Sequence, residues 1–334
     1  MAGIRFGVLG AARIAPQAIV KPAASSPDAA VVAVAARDRA KAEAFADEHE
    51  IPHVHDSYAA LLADPEIDAV YNPLPNGLHG EWTIAALEAG KHVLCEKPFT
   101  SNAAEAREVK AVADAHPDLV VMEAFHYRYH PFAERLRAIA ASGELGTIER
   151  VETAMCFPLL KRDDIRWDDG LAGGATMDVG CYTIHCLRLL AGEEPEVVSA
   201  EAKLRGPNVD RAMVAELRFP SGATGRIHCS MWSSSILKLG ARVTGSEGEM
   251  KVRNFTMPHL LGKVTVSTKA GTRSEAGSKD RTYARQLDAF VRTVGGDASA
   301  NLTPPSDSVT TMEIIDAVYE AAGLPVRGTA PSTA

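Results

Sequence analysis

The sequence predicts a two-domain chain: an α/β domain on a doubly wound parallel sheet over residues 1–125, then an α+β domain over residues 126–334. Three observations predict it. Across the first part, solidly apolar runs alternate with helical stretches of roughly 10 to 15 residues, the pattern of a parallel sheet covered on both faces. After about residue 145, short strand candidates follow one another across tight turns such as "PSG" and "GSEGE", which indicates antiparallel pairing. Finally, 334 residues exceed what one core usually accommodates.

Each element follows from a local pattern. "IRFGVLG" is an apolar run leading into the helical "ARIAPQAIVKPAAS". "VVAVAARD" is a β-branched run before the helix "RAKAEAFADEHE", and "HVHD" is a brief strand before "SYAALLAD". "DAVYNPLP" precedes the helix "HGEWTIAALEAG", which ends at Gly90. "HVLCEKP" is the fifth strand, "NAAEAREVKAVADAHP" the next helix and "LVVMEAF" the sixth strand. In the second half "TIERVETAMCF", "EVVSAEAKLR", "RAMVAELRFP", "ATGRIHCSMW", "LKLGARVTGSEGEMKVR" and "KVTVSTK" are successive strands. Helices interrupt them at about 131–142, 173–191, 280–294 and 306–322. "GTRSEAGSKD" and "GGDASANLTPPSD" read as polar loops, and the last residues, "GTAPSTA", as disordered.

Composition narrows the function. A net charge of −8 argues against a nucleic-acid surface, which needs clustered Lys and Arg. Five cysteines, an odd number with no CxxC, read as reduced buried thiols of a cytoplasmic protein. No secretory leader opens the sequence, and no run of 18 apolar residues occurs, so no membrane partner is expected.

The first strand runs into "GVLGAARIA", where Gly10-x-Ala12-x-x-Ala15 has the spacing of GxGxxG. The glycine permits a tight turn, the small second residue admits a pyrophosphate, and the small third lets helix and strand pack closely. The helix N-terminus then faces the phosphates. As the first βα turn of a βαβ unit it points to a dinucleotide-binding Rossmann domain, a tight strand-to-helix turn without a ligand being the plain alternative. An NAD enzyme would carry a carboxylate about 20 residues on, for the ribose 2′-hydroxyl. That location falls on Ala35 or Ala36, with Arg37 next. A guanidinium suits a 2′-phosphate, so NADP is favoured, with NAD possible. Asp38 either caps the following helix or reaches the ribose. A solvated surface arginine is the plain alternative for Arg37.

Ligands of open α/β sheets bind outside the carboxyl ends of the strands. Lys97 sits at such an end, immediately before Pro98, and Asn72, Asn76 and His79 follow the fourth strand in the same way. A turn salt bridge with Glu96 is the structural alternative for Lys97. "EAFHYRYHP" mixes aromatic and basic residues, and Arg128 is its expected substrate or cofactor contact; interdomain packing is the alternative for this run. "CYTIHC" places Cys181, His185 and Cys186 close together, but no second ligand cluster accompanies them, so no metal is expected.

Six stretches in order, "GVLGAARIA", "AARD", "NPLPNGLHGEW", "AGKHVLCEKPFT", "EAFHYRYHP" and "GGATMDVGCY", resemble the Gfo/Idh/MocA oxidoreductases (glucose–fructose oxidoreductase, inositol dehydrogenase and rhizopine catabolism) over residues 7–182. The resemblance implies that Lys97 is catalytic, that its bond to Pro98 is cis, and that the second domain carries an open, mostly antiparallel sheet that often forms a dimer face. It also implies that "GGATMDVGCY" supplies the second catalytic element. The inositol branch has Asp followed four residues later by His; here Asp178 is followed by Tyr182, which is similar to the NADP-linked dihydrodiol and D-xylose dehydrogenases. The cofactor is then expected along Gly10, Ala12, Arg13, Ile14, Arg37, Asn72, Pro73, Leu74, Asn76, His79, Glu96 and Lys97. Arg128, Phe157 and Trp167 are the expected substrate contacts, with Trp232 a further contributor.

These roles have a physical basis. Hydride transfer requires the protein to manage one proton and to hold one carbon near the nicotinamide. A phenol with a pKa near ~10 is a poor base at neutral pH, and an adjacent ammonium lowers that value. Lys97 and Tyr182 would form such a pair, with Asp178 one helical turn away orienting the substrate or holding the lysine charged. A half-buried core aromatic is the alternative for Tyr182, and a hydrogen-bonded helix residue for Asp178. The expected substrate is a sugar-like polyhydroxylated ring: an aldose, a sugar derivative or a trans-dihydrodiol. A nucleotide-sugar ketoreductase would use the same two residues. A non-catalytic dinucleotide sensor would tend to lose them, and an NAD-dependent glycosidase would carry an export signal.

Overall fold

The computed structural model describes residues 3–235 and 237–328. It forms two compact units: one runs to His126 and takes in Tyr283–Val309, the other comprises Tyr127–Thr282 and resumes at Thr310. The final "GTAPSTA" lies, except for its first glycine, outside the described residues.

The first unit holds β1 (Ile4–Leu9), β2 (Ala29–Ala35), β3 (His53–His55), β4 (Ala69–Asn72), β5 (His92–Cys95) and β6 (Val121–Glu123), in the order β3-β2-β1-β4-β5-β6. All pairs are parallel. The order reverses between β1 and β4, and it is at such a reversal that doubly wound sheets open a crevice. Every residue of β4 and β6 is buried, as two-sided coverage demands. The helices are α1 (Lys21–Ala24), α2 (Arg39–His49), α3 (Tyr58–Leu62), α4 (His79–Glu88) and α5 (Ala103–Ala115). Asp38, Ser57 and Asn102 cap α2, α3 and α5, each accepting a backbone N–H of the first turn. The first expected helix is shorter than its pattern: a wide π-type turn over Pro16–Val20 precedes only four α-helical residues, with Pro22 among them.

A later segment completes this unit, although the linear reading gave it to the second domain. The Phe290 ring, on the helix after Thr282, lies 5.4 Å from that of Phe6, and both are fully buried. Asn301 donates to Val121 O at 2.9 Å, and Thr303 donates its hydroxyl to Glu123 O at 2.7 Å, so the loop after that helix lines the edge of β6. Burying two phenylalanines contributes a few kcal/mol, about 2 each, which explains why the segment belongs here.

The second unit contains α6 (Pro131–Ala141), β7 (Ile148–Cys156), a π-type turn (Thr176–Gly180) continuing as α7 (Cys181–Ala191), β8 (Glu196–Leu204), β9 (Asp210–Arg218), β10 (Thr224–Ser230), β11 (Lys238–Gly245), β12 (Gly248–Arg253), β13 (Lys263–Thr268) and β14 (Gly271–Ala276). Two more helices follow along the chain: α8 (Thr282–Val294), which belongs to the first unit, and α9 (Pro305–Ala321), most of which belongs to the second. The sheet order is β14-β13-β12-β11-β7-β10-β9-β8, antiparallel except for the parallel pair β7/β10. Burial alternates along β9 and β10, so one face is covered and the other open. α7 lies on the covered face: Thr153 of β7 donates to Thr183 O at 2.9 Å, and a Cβ at Gly180 would stand 3.1 Å from Cys229 Sγ of β10. On the open face the registers align Lys251, Arg242, Glu152, Arg226 and Glu216 in one row across five strands.

"GTRSEAGSKD", expected as a loop, contains the edge strand β14. Its residues are nearly all exposed, so no apolar alternation marked it in the sequence. It is held by its ladder to β13 and by Arg135, which grips Glu275 with two bonds of 2.7 Å.

Candidate active site

The nucleotide end is built at the turn after β1. Gly10 adopts φ 97°, in the left-handed region that favours glycine, and its N–H donates to Ala35 O at 2.6 Å. Ala12 N–H donates back to Gly10 O at 2.9 Å, and Ala15 is fully buried where the turn meets the sheet. A Cβ at Gly10 would sit 3.2 Å from Leu74 Cδ2, so the turn and the loop after β4 close on one another. Arg13 is exposed at the mouth of this turn, and Ile14 accepts the N–H groups of Gln17 and Ala18.

Beyond Ala35 and Ala36, Arg37 is exposed, and among the described residues it has no ion-pair or hydrogen-bond partner. Its neighbours are committed. Arg39 bonds Glu43 at 2.8 Å and pairs with Asp56. Asp38 accepts Lys41 N–H at 3.4 Å as the cap of α2 and lies 3.7 Å from the same lysine's Nζ. Asp38 is therefore turned toward the helix start, as a cap. A glycine turn that admits close approach and an uncommitted guanidinium at the end of β2 fit a dinucleotide bearing a 2′-phosphate.

The loop after β4 is held from within. Asn72, fully buried, donates to His79 O at 3.1 Å and Thr83 Oγ1 at 3.2 Å, and accepts Leu74 N–H at 3.4 Å. Pro73 is buried, and Asn76 begins the short 3₁₀ turn that leads to His79. His79 is buried, with Nδ1 2.7 Å from Pro98 O and Nε2 2.7 Å from Leu74 O. Burial, helped by the Lys97 charge, pushes its pKa down to about 4, against the two carbonyl contacts that favour the protonated ring. Both ring nitrogens are thus engaged by the chain itself. His79, expected as a cofactor contact, ties the Lys97–Pro98 turn to the loop that meets Gly10.

Lys97 follows β5, half-buried, and its peptide bond to Pro98 is cis, as the resemblance implied. Glu96, whose part the sequence left open, is buried; its Oε1 accepts the Tyr71 hydroxyl of β4 at 2.8 Å and its Oε2 the Lys97 backbone N–H at 3.2 Å.

In the second unit, Asp178 lies in the π-type turn and Tyr182 in the first turn of α7. Cys181 N–H reaches back to Thr176 O, five residues, and such widened turns recur at functional sites. Tyr182 is 6% exposed, and its ring centroid is 6.0 Å from that of Tyr127. Asp178 Oδ2 receives Arg166 Nη1 at 3.4 Å, while Arg166 Nε holds the buried Asp164 at 2.9 Å. Arg166 was missed in the sequence, although its charged loop "DDIRWDD" lies shortly before the "GGATMD" stretch.

The expected substrate contacts are more committed than the sequence suggested. Arg128 is largely buried, 3.7 Å from Glu134. The Trp167 ring is covered by Arg205 at 4.6 Å, and its indole N–H donates to Lys161 O at 3.2 Å. Phe157 is half-buried, its N–H bonded to Ser230 O at 3.0 Å, and Trp232 is 48% exposed. In "CYTIHC", Tyr127 Oη lies 2.5 Å from His185 Nδ1, and burial pushes the Cys186 thiol up. No helix of the described residues is long and apolar enough to cross a membrane.

A glycine turn at a helix start, an arginine beyond β2 and a lysine at the end of β5 define a nicotinamide-dinucleotide oxidoreductase domain. Family models agree on both halves: residues 4–124 match the Gfo/Idh/MocA oxidoreductase family with its NAD-binding Rossmann fold, and residues 133–251 match the Gfo/Idh/MocA C-terminal domain. The chain is 40% identical over 323 residues to D-xylose 1-dehydrogenase (NADP(+)) 2 of Haloferax volcanii, covering 95% of this chain and 97% of the relative. It is 34% identical to the mouse trans-1,2-dihydrobenzene-1,2-diol dehydrogenase over 77% of each. Among solved structures it resembles the 3-ketoreductase KijD10 of Actinomadura kijaniata in complex with NADP and TDP-benzene, with TM-score 0.87 and 30% identity, covering 96% of this chain and 98% of that one. The chain belongs to the Gfo/Idh/MocA family and is an NAD(P)-dependent oxidoreductase.

Proposed function

We infer that this protein is an NADP-dependent dehydrogenase or reductase acting on a CH–OH group of a sugar-like ring, an aldose, sugar derivative or trans-dihydrodiol. One linkage in the first unit carries this reading. His79 joins the Pro98 carbonyl beside Lys97 to the Leu74 carbonyl, and Leu74 borders the Gly10 turn. The lysine and the nucleotide turn thereby belong to one crevice at the carboxyl ends of the strands.

NADP, when bound, accepts or supplies the hydride. Gly10, Ala12, Arg13 and Ile14 serve its pyrophosphate, and Arg37 its 2′-phosphate. In oxidation Tyr182 takes the hydroxyl proton of the substrate; in reduction it returns a proton to the carbonyl oxygen. The Lys97 ammonium favours the phenolate and so brings a phenol toward use at neutral pH. Asp178, paired with Arg166, orients the ring hydroxyls. Arg128, Phe157 and Trp167 border the substrate. The first unit serves the cofactor and the second the substrate, the protein is cytoplasmic, and copies pair through the open face of the second sheet.

The test is a spectrophotometric panel of NADP and NAD with aldoses, polyols and trans-dihydrodiols, run beside Lys97→Ala and Tyr182→Phe. Turnover with NADP on one of these classes, lowered about a thousandfold in both variants, is expected. Undiminished turnover in both variants would remove the catalytic assignment. A nucleotide-sugar ketoreductase is the second reading, favoured by the likeness to KijD10. Reduction of a nucleoside-diphosphate keto-sugar, with no activity on free aldoses, would select it.

A further inference from the structure

Arg327 is the largest fully buried side chain among the described residues, and it comes from the segment after α9. Its Nη2 donates to Asn208 O at 2.7 Å and to Asp210 Oδ1 at 3.2 Å, and its Nη1 to Asp169 Oδ1 at 3.2 Å. Its guanidinium carbon stands 4.2 Å from the centre of the Tyr319 ring, whose hydroxyl donates to the same Asp210 Oδ1 at 2.9 Å. The other carboxylate oxygen faces the π-type turn that leads into α7, the reaction helix of the proposed site. Asp210 Oδ2 accepts both the N–H and the hydroxyl of Thr176, each at 2.7 Å.

One buried carboxylate therefore joins the segment after α9 to the first residue of the turn that holds Asp178. The fit leaves no slack. Gly174 has φ 136°, and a Cβ there would stand 2.2 Å from Asp210 Oδ1; Asp178 N–H in turn donates to Gly174 O at 3.0 Å. Removing two charges from water costs several kcal/mol per ion, so a buried pair is an inefficient way to gain stability. Its return is a single defined geometry, and catalysis loses about a hundredfold for a reacting group misplaced by roughly 1 Å.

We propose that Asp210 and Arg327 are positioning residues for the reaction helix, fixing Thr176 and with it the directions of Asp178 and Tyr182. The inference rests on the proposed roles of those two residues, but its first readout does not. In full-length Arg327→Met, amide hydrogen exchange over residues 173–182 should accelerate by about tenfold or more while the rest of the second unit keeps its protection. In steady-state assays kcat should fall by about tenfold or more with KM for NADP within about twofold of wild type, and Arg327→Lys should recover part of the loss. Asp210→Asn, which keeps the side-chain shape, carries the same expectations should Arg327→Met fail to fold.

Wild-type exchange over 173–182 together with wild-type kcat in a folded variant overturns the proposal. So does uniform loosening of the whole second unit, with kcat falling only as the folded fraction. If Tyr182→Phe keeps full turnover, the catalytic reading falls, and the exchange pattern still decides whether Arg327 holds the helix.

Discussion

The two units place chemistry in opposite ways. In the first, the groups proposed for function sit on short turns at the ends of strands. Gly10 is bonded to Ala35 and Ala12, and the Lys97–Pro98 turn to Glu96 and His79, all near in sequence or on adjacent strands. In the second, they are side chains on a helix whose start is held by residues far away in sequence. A sheet buried on both faces offers function only its ends, where local motifs suffice. A sheet with one open face supports a helix, and a helix must be pinned from outside. The first arrangement concentrates its signal in a few adjacent residues, and the second disperses it.

The same substitution in both regions should break the symmetry most. Gly174→Ala forces a Cβ onto the buried Asp210 carboxylate at an unfavourable φ, and should cost about 3 kcal/mol or more. Gly10→Ala also strains φ but meets only the flexible end of Leu74, and should cost about 1–2 kcal/mol. Urea unfolding of the two variants measures the difference, and equal losses would contradict the contrast. Next comes the His79 clamp. With its folded pKa near 4 against the ordinary 6.5, the unfolded chain binds a proton that the folded chain does not. Stability should therefore be full above about pH 6.5, decline as pH falls toward 4, and lose about 3 kcal/mol in all. A His79→Gln protein should lack that part of the slope in urea midpoints taken across the window.

Smaller effects sharpen the picture at the end of β2. Arg37→Ala should reduce the preference for NADP over NAD by about tenfold to thirtyfold in kcat/KM, the scale of a charge-assisted contact. An unchanged ratio would mean that Arg37 does not touch the 2′-phosphate. Asp38→Ala should cost no more than about 1 kcal/mol of stability, as a lost helix cap does, and leave the cofactor ratio alone. A shifted ratio there would return Asp38 to the ribose.

Much of the first unit was legible because its signals are local. Solid apolar runs gave the strands, the GxAxxA spacing gave the turn, and "EKP" marked Lys97. The positions of Asp178 and Tyr182 were legible only through the resemblance, since no periodicity distinguishes them from core helix residues. Arg327 and Asp210 lie 117 residues apart, so no local pattern could have paired them. The strand β14 was hidden because an exposed edge carries no apolar alternation. The return of residues 283–309 to the first unit was hidden because it depends on ring packing between Phe290 and Phe6, at opposite ends of the sequence.

That last contact has a consequence for how the protein is made. The first unit begins at the first strand, yet its core stays open until residue 290 has left the ribosome. Through most of synthesis, the pocket around Phe6 lacks the ring that fills it. Nascent chains stalled within the second sheet should therefore expose apolar surface and depend on chaperones, while chains released beyond α8 should not.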